Sequence, residues 1–402
     1  MTWPTYIPLW PLSFSPTLWF ALTLVIAVLL GEALVRYLKL PRIVGYFCTG
    51  LLLGPAGLGM IPELPAVEWR LVVELALGIL LFELGCKVNL RWLKANPWIA
   101  YTSLLEAGAT FAALFGLLMW FDVAGSTAAV VAAIAITTSP AIMVRTVAES
   151  RAQGQVTERL LLMAALNCIY AVICHKLAVA FMHGESGTSF IHAVLRPLYL
   201  IVGSTLLGWL FGVAFERIHR HLGRHEETFS FILFGLITIA TIVASTLKLS
   251  PILVLLAAGL ITRYRRQHPR TFPAHFGSAG GILVVLMFTA NGLAADLSGL
   301  HENILLVLLL ITIRAIAKLL PVLALANYSG IGLRQAMALG IALMPMSSVA
   351  LLLTLDTGIA FPAFGAGLGL VLMSCIVILE LTGPILVQVG LQWAKETPEK
   401  TA

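Results

Sequence analysis

Apolar residues run along this chain in blocks of about 20, separated by short polar breaks, and no block shows the alternating period of a membrane β-strand. Blocks of that length with few or no charges cross roughly 30 Å of hydrocarbon as helices, because a helix satisfies its own backbone polar groups. The pattern predicts thirteen spans, near residues 15–36, 43–60, 70–86, 97–120, 125–147, 159–182, 190–215, 228–247, 250–263, 278–296, 302–326, 335–355 and 362–390. The expected fold class is therefore an all-α polytopic membrane protein. The connections are short, so residues 1–402 read as a single transmembrane domain. No Gly-rich phosphate fingerprint comes after it, and no C-terminal soluble regulatory domain is expected.

Composition agrees. Hydrophobic residues make up 59% of the chain and charged residues 11%, against roughly 25% charged in a soluble domain. Met1 to Phe14 contain Trp3 and Trp10 but no Lys or Arg, so the first block reads as a retained span rather than a signal peptide. Cys48, Cys86, Cys168, Cys174 and Cys375 are odd in number and show no C-x-x-C spacing. Neither a disulfide framework nor a metal site is expected from them, and no cofactor is implied. The net charge of +6 raises nucleic acid as a partner, but the placement of the basic residues excludes it. Nineteen Lys and Arg fall in the odd-numbered loops and the C-terminal tail, and two, Arg70 and Lys248, in the even-numbered loops. The positive-inside rule then places the N-terminus outside and the C-terminus in the cytoplasm.

Two spans are interrupted at matching places. The fifth carries Thr137-Thr138-Ser139-Pro140 within an Ala/Val/Ile run, and the twelfth carries Met344-Pro345-Met346-Ser347-Ser348 within a Leu/Ala run. Proline removes a backbone donor and clashes with the preceding turn. A plain kink is the simpler reading of either break alone. Two hydroxyl-flanked breaks seven spans apart point instead to paired helices of an inverted repeat, as in secondary transporters. The second and ninth spans are also both short, Pro-initiated and Gly-containing, at Pro41 to Pro55 and Ser250 to Leu260. The inverted halves are expected at approximately 40–215 and 249–390.

Seven stretches in order then carry a resemblance. They are LPRIVGYFCTGLLLGPAGLG (Leu40 to Gly59), LGILLFELGCKVNLRWL (Leu77 to Leu93), ITTSPAIMVRTVAE (Ile136 to Glu149), LSPILVLLAAGLI (Leu249 to Ile261), LMFTANGLAADLSGL (Leu286 to Leu300), IRAIAK (Ile313 to Lys318) and RQAMALGIALMP (Arg334 to Pro345). The chain resembles the monovalent cation:proton antiporter superfamily, in its Kef-type and bacterial sodium/proton exchanger branch. The resemblance implies a dimer-forming domain, a six-helix core with two crossed broken helices, and an ion-binding carboxylate at mid-membrane. It further implies a secondary active transporter exchanging a monovalent cation, Na+ or K+, for a proton by alternating access. It places a multi-pass homodimer in a bacterial-type inner membrane, with the lipid bilayer, the cation and the proton as its partners.

The chain departs from the family pattern at three places. Where the family carries an Asp pair, or Asn or Gln followed by Asp, in the sixth span, this chain has Asn167-Cys168. The Gly-Leu-Glu after the third span is Gly85-Cys86-Lys87, and the Ala-Pro-Arg-Gly-Glu of the twelfth is Met344-Pro345-Met346-Ser347-Ser348. The fold expectation stands without these charges, whereas the usual exchange chemistry loses its expected carboxylate. Thr137, Thr138, Ser139, Asn167, Cys168, Pro345, Ser347 and Ser348 are the candidate ion- or substrate-binding residues.

An ionisable side chain at bilayer depth is a functional candidate by default. Glu83 and Glu106 fall within spans, as do Glu32, Glu74 and Glu380, while Arg314 and Lys318 lie one turn apart on one face of the eleventh. By the resemblance, that basic pair approaches Asn167-Cys168 and the two breaks. Two readings stay open: an ion pair that holds the core together, and an unpaired cation suited to an anion or small organic solute. The second, an uncoupled or channel-like carrier on the same scaffold, is the alternative to antiport. A non-transporting sensor has no output domain to support it, and no catalytic dyad or HExxH supports an enzyme. His175-Lys176 reads as a partly solvated helix end, and Arg217 to Glu227 as a solvated cytoplasmic loop.

Overall fold

A computed structural model of the chain describes residues 16–61, 66–184, 190–222, 226–265 and 277–398. The expectation for Met1 to Phe14, a retained segment rather than a signal peptide, lies outside the described residues. Every regular element among the described residues is helical: α1 (Pro16–Ala33, running on as a π-helical turn, Leu34–Leu38), α2 (Arg42–Leu53), α3 (Ala66–Lys87), α4 (Leu90–Ala95), α5 (Pro97–Trp120), α6 (Gly125–Ala135), α7 (Pro140–Ser150), α8 (Gln155–Gly184), α9 (Phe190–Leu222), α10 (Glu226–Thr246), α11 (Pro251–Arg265), α12 (Gly277–Leu293), α13 (Ser298–Ala324), α14 (Leu333–Ala342), α15 (Ser348–Ala360), α16 (Pro362–Phe364) and α17 (Leu370–Trp393). Each of the thirteen expected spans coincides with one of these helices or with a broken pair. Seven stretches are long and apolar enough to cross a membrane as single units, the longest being Pro362–Trp393.

The boundaries differ where local chemistry intervenes. The second span stops as a helix at Leu53 because Gly54-Pro55 cannot continue it. The seventh runs on to Leu222, so the expected cytoplasmic loop from Arg217 is helical over its first half. Residues 223–225 of that run are outside the described set, and α10 begins at Glu226. The connection after the third span holds a short helix of its own, α4, whose first turn is capped by the Asn89 side chain accepting from Arg91 and Trp92 N–H. The last span is interrupted early by a π-helical turn, Gly365–Gly369, before α17.

The helices form two packed groups. In one, α2 packs on α1 and α12, α12 on α3, α3 on α11, and α11 on α9 and α10. In the other, α5, α6, α8, α13, α14 and α17 pack on one another, and α15 and α7 complete the broken pairs. Small residues bring backbones together in the first group. A Cβ on Gly50 would stand 2.2 Å from the Thr289 carbonyl, and one on Gly292 would stand 2.3 Å from the Phe47 carbonyl. The α3–α11 contact has the same form: a Cβ on Gly85 would stand 2.5 Å from the Leu256 carbonyl, and one on Gly259 2.2 Å from the Phe82 carbonyl. In all four cases the carbonyl belongs to the residue three before the facing glycine.

Candidate functional site

α6 ends at Ala135 and α7 begins at Pro140, leaving residues 136–139 as a break between them. α14 and α15 are separated in the same way by residues 343–347. The two gaps cross. Ser139 N–H donates to the Pro345 carbonyl at 3.0 Å, the Ser139 and Ser347 hydroxyls share a hydrogen bond, and Thr138 Oγ1 donates to the Leu343 carbonyl at 3.4 Å. Ser139 also caps α7, accepting from Ile142 N–H. Pro345 is wedged against Gly383 of α17, where a Cβ would sit 2.7 Å from its ring.

A helix interrupted in an apolar interior leaves carbonyls at its C-terminal end without partners. Here α13 supplies them. Arg314 donates to the carbonyls of Ala135 (2.8 Å), Thr137 (2.7 Å) and Met344 (2.6 Å), so one guanidinium ties both broken helices together. One turn on, Lys318 donates to the Ile136 carbonyl and to Thr138 Oγ1, both at 3.1 Å, and forms an ion pair with Glu106 of α5. Cations at helix C-termini are favourable against the helix dipole. The same Thr138 hydroxyl accepts from Asn167 Nδ2 at 3.0 Å, and Cys168 Sγ lies 3.6 Å from the Thr138 carbonyl. Ser103 of α5 reaches Asn167 Oδ1 at 3.5 Å. Glu106, Thr138, Asn167, Cys168 and Lys318 expose no surface. Among the described residues, Glu106 Oε2 has no hydrogen-bond partner.

The candidate residues therefore divide. Thr137, Thr138, Asn167 and Cys168 gather with Glu106, Arg314 and Lys318 at the first break, and Ser139, Pro345 and Ser347 make the crossing itself. Ser348 faces a different group: Asn291 Nδ2 of α12 donates both to Ser348 Oγ (3.0 Å) and to Glu380 Oε1 of α17 (2.7 Å). Glu83 is not drawn in. It pairs with Lys87 at 3.0 Å and with Arg145 at 3.8 Å. Glu74 pairs with Arg70, which also binds Asp356, and Glu32 pairs with Arg42.

His175 corrects an expectation. It is buried, and its Nε2 lies 2.7 Å from Thr357 Oγ1 of α15, because α8 continues as helix well past it and packs that turn inside. It is not a solvated helix end. The candidate set drawn from the sequence omits Asn291. Its signal is present as an amide in the apolar run Phe288-Thr289-Ala290-Asn291-Gly292, and Glu380 stands unassigned in α17.

Two half-helix pairs crossing at a buried polar gap, with charged side chains from facing helices closing it, define a polytopic membrane transport protein. The family model for the transmembrane region of sodium/hydrogen exchangers matches residues 22–388, and the chain belongs to that family. It is similar to a Na(+)/H(+) antiporter of Enterococcus hirae, with 23% identity over 345 residues that cover 82% of this chain and 86% of the relative. Over 101 residues, 25% of the chain and 23% of the relative, it is 33% identical to the iron transporter MagA of Paramagnetospirillum magneticum. Two solved structures of the sodium proton antiporter MjNhaP1 from Methanocaldococcus jannaschii share the fold. One, at pH 8, has a TM-score of 0.69 at 16% identity over 94% of this chain and 96% of that one. The other, an electron microscopy map, has a TM-score of 0.74 at 17% identity over 95% and 97%.

Proposed function

We propose that this protein is a monovalent cation:proton antiporter working by alternating access, with Na+ or K+ as the cation, and not an enzyme. Family membership over residues 22–388 supports antiport. The observation that carries the site is the buried Glu106–Lys318 ion pair hung on Thr138 at the crossing. A cation reaching Glu106 must displace the Lys318 ammonium. The ammonium then has no carboxylate beside it in an apolar interior, and it releases its proton. Cation in and proton out leave the charge of the site unchanged. Thr138 Oγ1, which the ammonium already touches, and Glu106 Oε2, without a hydrogen-bond partner among the described residues, are the oxygens beside the place the ion would take. Cys168 lends no carboxylate.

The alternative carrier of an anion or organic solute requires unpaired cations at Arg314 and Lys318. Both are occupied, Arg314 by three carbonyls and Lys318 by Glu106. The reciprocal glycine contacts and the paired breaks support inverted halves near 40–215 and 249–390 within a single domain. The resemblance supports a bacterial-type inner membrane location, and charge sorting supports the N-terminus outside and the C-terminus cytoplasmic. The resemblance supports a homodimer.

Reconstitution into proteoliposomes with an acid interior tests this reading. Adding external Na+ or K+ is expected to collapse the pH gradient in the wild type, and Glu106→Gln to abolish the response. A gradient insensitive to both cations, or unchanged exchange in Glu106→Gln, overturns it.

A further inference from the structure

A second carboxyl group is buried on the other side of the crossing. Glu380 lies inside α17 at 2% exposure, and among the described residues no Lys, Arg or His nitrogen lies within 4 Å of it. Its one hydrogen-bond partner among these residues is the Asn291 amide nitrogen at 2.7 Å. That amide also donates to Ser348, and its oxygen, Asn291 Oδ1, is buried with no partner among the described residues. A carboxyl group, a side-chain amide and a hydroxyl thus converge in an apolar interior, and among the described residues no cation neutralises them. Such a group is stable only as the neutral acid or with a cation bound.

The charged and titratable groups on the neighbouring elements do not serve Glu380. On α13, Arg314 is committed to three carbonyls and Lys318 to Glu106. On α7, Arg145 turns to Glu83 and the Gly280 carbonyl, and Glu149 to Arg42. On α14, Arg334 donates to the Trp393 carbonyl, and on α15, Asp356 holds Arg70. α2 brings Arg42, which pairs with Glu32, together with Tyr46 and Cys48, and α12 presents Asn291 itself. On α17 itself Cys375 donates to the Val307 carbonyl of α13.

We infer that Glu380, Asn291 and Ser348 form a second cation site, in which a small monovalent cation binds in exchange for the proton held on Glu380. The step is balanced: the neutral acid loses H+ as M+ arrives, leaving a neutral carboxylate–cation pair. Rotation of the Asn291 amide by half a turn presents Oδ1 to the ion, and Ser348 Oγ supplies a third oxygen. The site touches the first through consecutive residues. Ser348 meets Asn291 while Ser347 meets Ser139, so any separation of the crossing changes both. A carboxylate absent at Asn167-Cys168 in α8 is thereby provided from α17, against the other broken helix. Its contribution to transport rests on the antiport reading, whereas its binding of a cation does not.

Purified protein in detergent, in weakly buffered solution, is titrated with NaCl, LiCl or choline chloride while released protons and bound 22Na+ are counted per chain. The wild type is expected to release two protons with Na+ or Li+ and none with choline. Glu380→Gln and Glu106→Gln are each expected to release one. Asn291→Ala, which keeps the carboxyl group, is expected to bind Na+ about tenfold more weakly at that site, and it serves where Glu380→Gln does not fold. Release from Glu380→Gln equal to wild type, no release from Glu106→Gln, or unchanged affinity in Asn291→Ala overturns the inference. If the wild type exchanges cations in proteoliposomes while Glu380→Gln titrates like the wild type, the inference fails and antiport stands. If no exchange occurs yet Glu106→Gln still releases its proton, antiport fails and the second site stands.

Discussion

Lys318 and Glu106, 212 residues apart, form an ion pair in which neither side chain exposes any surface. Removing charges from water is costly, and an ion pair in such a place survives only with further hydrogen bonds. Lys318 has two, to the Ile136 carbonyl and Thr138. Among the described residues Glu106 has none on Oε2, so the hydrogen bonds that hold the pair come from the lysine side.

Breaking this pair from one side leaves the other charge uncompensated. Lys318→Met is expected to destabilise the protein by about 3–5 kcal/mol, the usual cost of orphaning a buried charge. The double variant Lys318→Met/Glu106→Gln is expected to recover most of that loss. Thermal unfolding in detergent checks the cycle, and a double variant as unstable as the sum of the singles argues against coupling.

Arg314 acts differently, through geometry rather than charge alone. Its guanidinium spans three carbonyls on two helices, which an ammonium cannot do. Arg314→Lys is expected to lose about 1.5–3 kcal/mol of stability, the worth of one charged hydrogen bond. Arg314→Gln is expected to lose more. Melting temperatures rank the three proteins, and equal values for Arg314→Lys and wild type refute the role.

The backbone approach at Gly259 sets a steric test. A Cβ there would stand 2.2 Å from the Phe82 carbonyl, which belongs to a helix and cannot retreat alone. Gly259→Ala is expected to lower yield and melting temperature, at about 1–3 kcal/mol for overpacking. Gly108→Ala, in open space on α5, is expected to be neutral or slightly stabilising because alanine favours the helix. Similar behaviour of the two variants contradicts the close contact.

The start of α8 is closed by the far end of the chain. Glu396 accepts from Val156 N–H and Thr157 N–H, both at 2.7 Å, and from Thr157 Oγ1 at 2.8 Å, satisfying orphan donors of the first turn. Glu396→Ala is expected to cost about 0.5–2 kcal/mol, as loss of a helix cap does. Faster hydrogen exchange at residues 155–158 with the rest of α8 unchanged is the expected signature. Uniform exchange across the helix contradicts it.

The parts of the fold legible in the sequence are those set by local chemistry. Block length marks the helices, and Pro140 and Pro345 mark the breaks. What escapes depends on pairing at long range. Nothing local distinguishes Glu106, which meets Lys318, from Glu83, which meets Lys87 one turn away. His175 looks like a helix end because Lys176 is its neighbour, and only the packing of α15 buries it beside Thr357. Asn291 and Glu380, 89 residues apart, read separately as one amide and one acid until α12 and α17 bring them together.

Cys168 gives the most direct test of why this chain departs from its family. Cys168 and Lys318 both contact Thr138, one at its carbonyl and one at its hydroxyl, so an acid at position 168 would lie beside the ammonium. In Cys168→Asp, Lys318 has two carboxylates within reach, and a cation entering at Glu106 no longer strands the ammonium. Cation binding is expected to tighten by the worth of a charge-assisted hydrogen bond, about 1.5–3 kcal/mol, or about tenfold or more. The readout is the Na+ concentration giving half-maximal 22Na+ binding to purified protein in detergent, compared among wild type, Cys168→Asp and Cys168→Asn. The asparagine variant matches the aspartate in size but not in charge, and it is expected to behave like the wild type. Equal shifts in both variants would assign the effect to shape. Because Lys318 then keeps a carboxylate and its proton, Na+-driven collapse of the pH gradient is expected to be lost in Cys168→Asp alone, and collapse as in the wild type would contradict release of the proton from Lys318.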